Sequence, residues 1–251
     1  MKKMIFGLLL LIIPLQIVRG QDVQEMPKTA RPIMIGIQFG GFLSLASSEN
    51  SEKNMAMAMG ILRSQAKDYH KGLKSGWSFG GDIYLIPNNF GVGFKYLLYS
   101  SGTSQDFTIK IPSTLPEYVY MGLEEKVYVQ YVGPSFIFRQ WLGENRKLQL
   151  TENISAGRVS YRSELRIDPT SFPIMSNTLA KGKTYGFNIG MSFDYYPIPW
   201  MSIGANVGIT SASLSSVEVS SQGTKQTVNL GKDNKESLAR FDYSLGMRFS
   251  F

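Results

Sequence analysis

Eight segments of this sequence alternate apolar and polar residues, and this repeated pattern constrains the fold more than any other feature. Successive side chains of a β-strand point to opposite faces, so each segment predicts a strand with one apolar and one polar face. The last of them, FDYSLGMRFSF, keeps the alternation from Phe241 to Phe251. The predicted strands cover residues 33–39, 77–85, 91–98, 127–138, 148–161, 185–196, 201–210 and 241–251.

Two of these strands depart from strict alternation. In the fourth, the apolar positions change parity between Tyr131 and Phe136, on either side of Gly133-Pro134. Because proline cannot donate to a strand ladder and a bulge shifts the facing by one residue, the sequence predicts a β-bulge there. In the fifth strand, Glu152 falls among the apolar positions, so this strand fits the pattern least well.

The connections between the predicted strands alternate between short and long. The short ones, at residues 87–89, 143–146 and 197–199, are rich in Pro, Asn and Gly, which form turns. The long ones span residues 44–74, about 102–123, about 163–182 and about 214–237. Strict alternation places all the long loops at one end of the sheet. This layout predicts an all-β, eight-stranded antiparallel up-and-down transmembrane barrel with short periplasmic turns and long outer loops.

The distribution of charge between the two faces supports a membrane barrel over a soluble β-sandwich or barrel. A soluble barrel buries its apolar face and exposes its charges, whereas a membrane barrel does the reverse. The face that also carries the glycines holds six charged residues, whereas the other face has hardly any charge within the predicted strands, and the six are Asp82, Lys95, Asp194, Arg240, Asp242 and Arg248. Because a lone buried charge is costly, we expect these six to pair as a polar network that fills the lumen and leaves no wide pore.

The first twenty residues predict a cleaved signal peptide. Lys2 and Lys3 precede an unbroken apolar run over residues 4–13, and small residues follow at 18–20. An uncleaved anchor is the weaker alternative, since Pro14 and Gln16 interrupt the run well short of the roughly 20 residues of a spanning helix. The predicted organisation is therefore a signal peptide over residues 1–20, a short periplasmic segment over 21–32 and a barrel over 33–251.

Composition excludes several other classes. Cleavage would remove Lys2, Lys3 and Arg19, so the formal net charge would fall from +7 to +4 and gives little support for nucleic-acid binding. The sequence contains no cysteine, which excludes disulfides. After residue 20 no apolar run is long enough for a spanning helix, so a membrane-spanning mature chain would have to use strands.

The first long loop carries the residues that most resemble a catalytic or metal site. His70, the single histidine, lies near Asp68 and Ser75, but a nucleophilic serine needs an adjacent base and an orienting partner on a common rim. Gly72 occupies the position at which lipid A deacylases of similar barrels carry the serine of a His-x-Ser motif. We therefore predict no catalytic residue, no cofactor and no metal site.

Three methionines in the same loop, Met55, Met57 and Met59, could ligate a soft metal through their thioethers. The loop is also rich in good helix formers from Lys53 to Lys71, and this favours a short helix lying over the barrel mouth. The loop has a modest excess of basic residues, which would attract the phosphates of lipopolysaccharide.

Taken together, the signal sequence, the strand count and the terminal aromatic residues resemble the small eight-stranded outer-membrane β-barrels, a group that includes the transmembrane domain of outer-membrane protein A and porin-family proteins. In that family the barrel-assembly machinery recognises a final strand of alternating aromatics with a terminal Phe, and Tyr243, Phe249 and Phe251 match it. The resemblance implies a monomer in the cell outer membrane, in contact with lipid and lipopolysaccharide.

The function expected from this resemblance is a structural or surface-interaction role, with the outer loops meeting a protein or a host surface. Two alternatives stay open on the sequence alone: a narrow channel for small solutes, and an outer-membrane enzyme that modifies lipid A. A soluble periplasmic β protein is a further alternative, which extraction without detergent would reveal.

Overall fold

A computed structural model of the chain describes residues 31–46, 52–53, 55–57, 60–110, 118–143, 145–169, 176–231 and 235–251. The predicted signal peptide therefore lies outside the described residues. The elements, in chain order, are β1 (Ile33–Ser44), α1 (Arg63–Leu73), β2 (Ser75–Leu85), β3 (Phe90–Lys110), β4 (Tyr118–Leu142), β5 (Leu148–Pro169), β6 (Ser176–Ile198), β7 (Met201–Leu214), β8 (Ser216–Ser221), β9 (Thr224–Asn229), β10 (Glu236–Ser237) and β11 (Arg240–Ser250).

Eight strands form a closed antiparallel ring in the order β1 to β7 and then β11, which pairs back with β1. The closing pair runs from Met34 opposite Ser250 to Ser44 opposite Arg240 without a register shift. Beyond it, the backbones of Ile33 and Phe251 exchange two hydrogen bonds of 2.8 and 3.2 Å. Because every ring strand has two neighbours, the ring has no free edge. The predicted fold class is confirmed.

Four of the ring strands are much longer than a membrane crossing requires. β3 to β6 contain 21 to 25 residues each, whereas a tilted strand crosses a bilayer with roughly 9–11. The excess lies at the end with the long connections. At that end β8 pairs with β6 and with β9, and β10 pairs with β7. The connection between β7 and β11 is therefore partly a hairpin.

Side chains alternate strictly between the interior and the outer surface. On β7, Ser202, Asn206 and Thr210 are buried while Ile203 and Val207 are exposed. Along the short-turn half of the ring, the exposed outward positions form a continuous band, which we call the apolar belt. Its members include Ile35, Ile37, Phe39, Phe79, Ile83, Val92, Phe94, Val132, Phe136, Ile154, Phe187, Phe193, Ile203, Val207, Leu245 and Met247.

The structure has no bulge at Gly133-Pro134, so this prediction is wrong. β4 keeps one register with β3 from Phe138 to Tyr118, and its pairing with β5 resumes at Ser135 in the same register that it had at Val132. The register shift of the barrel lies instead between Tyr195 and Ile198 of β6, beside a short turn.

The apparent change of parity in β4 has another cause. Val127, Val129 and Tyr131 are buried inside the ring, whereas Phe136 is exposed on the outer surface. The strand therefore runs from the apolar belt, where apolar residues point outwards, into the extended part, where apolar residues pack inside. The alternation itself never breaks, but the side that carries the apolar residues changes along the strand.

Among the described residues no helix is both long enough and apolar enough to cross a membrane. The helix α1 covers 11 residues, Arg63–Leu73, and residues 52–53 and 55–57 are also helical. It packs against inward-facing Phe107 and Leu123 of the extended strands, so a helix at this end of the barrel is confirmed.

Candidate functional site

The interior of the ring is organised in layers. Nearest the short turns lies a small apolar cluster of Met34, Tyr84, Ile86 and Ile137. Next comes a polar layer, which holds the charged residues predicted from the sequence. Above it lies an apolar layer, and α1 with its own apolar contacts lies beyond that.

Arg248 is the centre of the polar layer. This buried side chain of β11 forms an ion pair with buried Asp194 of β6. Its guanidinium also donates hydrogen bonds of 2.7 Å to Ser192 and 2.8 Å to Asn206. The guanidinium presents several donors in a fixed plane, so one side chain ties β11 to both β6 and β7.

Two other charged residues of the layer meet neutral partners rather than each other. The ammonium group of Lys95 donates to Asn153 at 2.8 Å, and Asp242 accepts from the Tyr99 hydroxyl at 2.9 Å. Among the six predicted charges, Asp194–Arg248 is the one direct ion pair that the structure contains. The structure thus gathers the six in one interior, but it pairs only two of them directly, and Asp82 Oδ1 is buried there without a hydrogen-bond partner among the described residues.

Each of the three carboxylates of the layer lies directly opposite a glycine of the neighbouring strand. The register pairs Asp82 with Gly36, Asp194 with Gly204 and Asp242 with Gly208. A Cβ built on any of these glycines would come within 3 Å of the facing carboxylate oxygen. The glycines therefore provide the space in which the carboxylates lie across the neighbouring strand.

Arg240 lies at the boundary between the polar and apolar layers. Its guanidinium lies 5.3 Å from the ring centroid of Phe42 and 5.8 Å from that of Tyr99. It also donates to the backbone carbonyl of Leu238 at 2.9 Å. Contact with the faces of two aromatic rings stabilises a cation that is largely removed from water.

The apolar layer fills the ring above the charges. Its buried members are Phe42, Leu97, Tyr99, Val127, Val129, Tyr131, Val159, Leu214 and Leu238. The rings of Phe42 and Tyr99 meet edge to face at 5.3 Å. Two tyrosines connect this layer to polar partners, since Tyr131 donates to Ser155 at 2.8 Å and Tyr99 bonds to Thr210 at 2.7 Å. The sequence pattern does not predict this layer, because the bulge expected at Gly133-Pro134 would put the β4 members on the same face as Phe136.

Glu125 holds α1 to the extended strands. One carboxylate oxygen accepts a 2.7 Å hydrogen bond from Tyr69 of α1, and the other accepts one of 2.6 Å from Ser163 of β5. Burial, and then the charge of Glu125, raise the pKa of the Tyr69 hydroxyl well above its usual range. The Tyr69 hydroxyl therefore stays a donor at neutral pH. Nothing in the local sequence around Glu125 signals this role.

His70 follows Tyr69 on α1, and its ring meets the Tyr69 ring edge-on at 5.7 Å. Ser75 is exposed at the start of β2. Of the predicted methionines, Met55 packs against the α1 cluster, Met57 is exposed, and Met59 lies outside the described residues. Within the described part of the chain, no three His, Cys, Asp or Glu residues are placed to hold a metal ion.

The C-terminal strand carries its predicted aromatic residues outwards. Tyr243 and Phe251 are exposed, and the Phe249 ring stacks on Trp200 of the last short turn at 6.2 Å. Of the aromatics near the short turns, Tyr196 points into the barrel. It is buried and donates to Gln149 at 2.9 Å.

No protein-family model and no curated protein sequence matches the chain. Solved structures do match it. A major outer membrane protein from Thermus thermophilus has a TM-score of 0.52 at 8% identity, over 87% of this chain and 99% of that one. Neisserial surface protein A has a TM-score of 0.40 at 13% identity, over 88% of this chain and 97% of that one. The outer membrane protease OmpT of Escherichia coli has a TM-score of 0.44 at 10% identity, over 91% and 99%.

The likeness to the Thermus protein concerns the fold, because so low an identity carries no information about activity. It agrees with the closed ring, the strict alternation and the outward apolar belt described above. The resemblance drawn from the sequence is thus confirmed at the level of architecture: the chain has the antiparallel barrel fold of small outer-membrane β-barrel proteins.

Proposed function

We propose that this chain is a monomeric outer-membrane barrel with a structural or surface-interaction role, and that its lumen is closed to solutes. The role is non-catalytic in this proposal. An N-terminal signal peptide over residues 1–20 would export the chain, and the barrel-assembly machinery would insert it. The support comes from the outer surface, the interior and the extended strands.

The apolar belt supports placement in a bilayer. Phe39, Phe136 and Leu245 are each more than 60% exposed, and in water so large an apolar surface would drive aggregation. On β6 the outward residues are apolar or aromatic from Tyr195 to Tyr185, which matches the roughly 9–11 residues of a tilted spanning strand. Trp200 lies at the short-turn border, where interfacial aromatics are usual.

The filled interior is the observation that carries the proposal of a closed lumen. Ions cross a barrel through continuous water, and here two consecutive layers of buried side chains occupy the interior. The polar layer contains Lys95, Asp194 and Arg248, each at most 5% exposed. The apolar layer contains Tyr99 and Tyr131, which are fully buried. The gap beside Asp82 and Arg248 has no room for a water molecule.

The extended strands support a role at the cell surface. β3 to β6 and the β8–β9 hairpin present ordered backbone beyond the belt, and β9 is exposed along all of its length. Loops and hairpins held on a rigid scaffold are common binding elements. The proposed partners are a protein or a host surface on this side, with lipid and lipopolysaccharide around the belt.

Conductance is the test that separates the proposed closed barrel from the alternative of a narrow channel. Full-length protein, folded in detergent and checked for altered gel mobility before and after boiling, is inserted into planar bilayers. We expect no steady open level above the bare membrane. Reproducible unitary currents from the folded fraction would overturn the closed lumen and favour the channel.

The proposed location in the outer membrane is tested by cell fractionation. Cells that produce the chain are separated into periplasmic, inner-membrane and outer-membrane fractions. We expect the folded, heat-modifiable form in the outer-membrane fraction, where it is released by detergent. Recovery from the periplasm without detergent would overturn the membrane proposal.

A further inference from the structure

Besides Arg166 near the outer end of β5, four basic side chains of β5 and β6 point away from the barrel and are exposed. They are Arg158, Arg162, Lys181 and Lys183, and we call them the basic ladder. All four lie on adjacent strands and on one face of the sheet, so they form a single positively charged surface. The barrel interior and α1 use none of them.

The register brings these charges close together. Arg162 lies directly opposite Lys181, and Lys183, opposite Ser160, is the diagonal neighbour of both arginines. Directly opposed residues of an antiparallel pair have Cβ atoms roughly 4.5–5.5 Å apart, and like charges at this spacing destabilise the sheet. The arrangement is thus unfavourable unless an anion lies over it.

Acidic side chains offset the ladder only in part. Arg162 contacts Glu164 at 2.5 Å, and Glu218 lies opposite Lys181 in the register. Within the described residues, Arg158, Lys181 and Lys183 form no ion pair. The surface keeps an excess of positive charge because two carboxylates face four cations.

The ladder lies at the outer border of the apolar belt. On β5 the outward residues are apolar at Ile154 and Ala156 and become basic at Arg158. On β6 the same change follows Phe187 and Tyr185, which are 64% and 83% exposed. At the matching border of β7 and β2 the outward residues are serines, at positions 211, 213 and 75. The charge is therefore confined to one side of the barrel.

We propose that the basic ladder binds the phosphate groups of a glycolipid in the outer leaflet. The inference rests on the proposed placement in the outer membrane, which puts the belt border at the level of the lipid headgroups. Two arginines can bind phosphate oxygens in a bidentate manner, and two lysines add point charges. The four positions are fixed by strand pairing, so little backbone ordering is needed on binding.

The test compares two quadruple variants of the full, folded chain. The ladder variant is Arg158→Gln, Arg162→Gln, Lys181→Gln and Lys183→Gln. The control variant removes the same charge from four exposed lysines outside both the ladder and the first long loop, through Lys126→Gln, Lys147→Gln, Lys225→Gln and Lys235→Gln. Native mass spectrometry from a neutral detergent measures retention of diphosphoryl lipid A, the same lipid without phosphates, and phosphatidylglycerol.

We expect wild type and control to retain diphosphoryl lipid A in preference to both other lipids. The ladder variant should bind it at least about tenfold more weakly, because each cation near an anionic lipid contributes to binding. Equal retention by the ladder variant and the control would overturn the proposal. So would equal retention of phosphatidylglycerol by wild type, which indicates non-specific attraction.

A stability measurement separates lost binding from damage to the fold. In neutral detergent without lipid A, the ladder variant should unfold at the same temperature as wild type or a higher one, since repulsion is relieved. Addition of diphosphoryl lipid A should raise the unfolding temperature of wild type more than that of the variant. An equal rise in both would overturn the proposal. If the wild-type chain showed no heat-modifiable barrel at all, the proposed function itself would fail.

Discussion

Arg248 of the last strand and Asp194 of β6 form a buried ion pair across the interior of the barrel. The two residues are 54 positions apart in the sequence, and neither is more than 5% exposed. Asn206 and Ser192 complete the donor set of the guanidinium. Together with Asn206 of β7, the pair therefore links three strands on the side of the barrel where the ring closes.

Removal of one member of this pair should destabilise the barrel strongly. Asp194→Asn or Arg248→Gln leaves one uncompensated buried charge, which typically costs about 3–5 kcal/mol of the free energy of unfolding. The double variant should lose less than the sum of the two single variants, because it leaves neither charge alone. Urea unfolding in lipid vesicles, followed by tryptophan fluorescence, measures all three.

An exposed pair of the same chemistry provides the control. Lys126 and Glu124 contact each other at 2.8 Å on the outer surface of β4, with more than 40% of each side chain exposed. Lys126→Gln should leave the free energy of unfolding close to the wild-type value, because a solvent-exposed ion pair contributes little to stability. A loss for Arg248→Gln as small as this would show that the lumen pair is effectively solvated.

The glycines opposite the carboxylates lead to a second prediction, which concerns the stability of glycine-to-alanine variants. A Cβ at Gly204 would overlap the Asp194 carboxylate, so Gly204→Ala should cost about 1–3 kcal/mol through displacement of the ion pair. Gly81→Ala is the matched control, since the atom nearest to its Cβ is 3.5 Å away. We expect it to be neutral or slightly stabilising in the same urea unfolding measurement. Equal losses for both would contradict the role of Gly204 in making room for Asp194.

The sequence predicts the ring better than its interior. Period-two alternation is a property of each strand in isolation, so strand number, facing and closure follow from it directly. Which face of a strand carries the apolar residues depends on what surrounds that part of the barrel. The surroundings change along a strand that is longer than the apolar belt. For this reason the sequence predicts a bulge in β4, whereas Tyr131 lies inside without one. Glu152 is a separate exception, because it does lie on the outer side of β5, between Phe138 and Met191.

The apolar layer predicts how the lumen could be opened. Phe42→Ala with Tyr131→Ala would remove two fully buried rings from the path between the polar layer and α1. We expect intermittent unitary currents in planar bilayers, where wild type shows none. Phe39→Ala with Tyr185→Ala removes comparable volume from the exposed surface and should stay silent. Silence of the inner variant, with the barrel folded, would place the barrier in the polar layer.

Glu125 predicts that α1 can be loosened without unfolding the barrel. Glu125→Gln converts two charge-assisted hydrogen bonds, to Tyr69 and Ser163, into weaker neutral ones. A hydrogen bond to a charged group is worth about 1.5–3 kcal/mol. Proteolysis within α1 should become at least about tenfold faster, since cleavage follows the population of the opened segment. The heat-modifiable gel shift of the barrel should be unchanged.

The neighbouring acid is the control for this experiment. Glu124 is adjacent in sequence but lies on the outer surface, where it pairs with Lys126. Glu124→Gln should leave the proteolysis rate of α1 as it is in wild type. Equal acceleration by both variants would indicate a general effect of lost negative charge on the outer strands.

These contacts of Glu125 could not be read from the sequence. They join Glu125 to Tyr69 of α1, 56 positions away, and to Ser163 of β5, 38 positions away, and their geometry depends on the length by which the strands extend beyond the belt. The polar layer was easier to predict, because charged residues at inward positions within otherwise apolar strands have few other places to lie. The pattern alone does not identify the partner of each charge. Alternation assigns Asn153, Asn206 and Tyr99 to a face but does not say which charge each of them meets.

The terminal Phe251 predicts an effect on assembly that stability does not explain. Its backbone closes the ring through hydrogen bonds with Ile33, while its side chain is 62% exposed. Phe251→Ala therefore keeps the closing hydrogen bonds, and refolded protein should unfold at nearly the wild-type urea concentration. In cells, loss of the proposed recognition aromatic should lower the outer-membrane level several-fold. Leu245→Ala, on the same face of the same strand and 69% exposed, should leave that level unchanged. Equal levels for the two variants would remove Phe251 from the assembly signal and leave it a closing residue only.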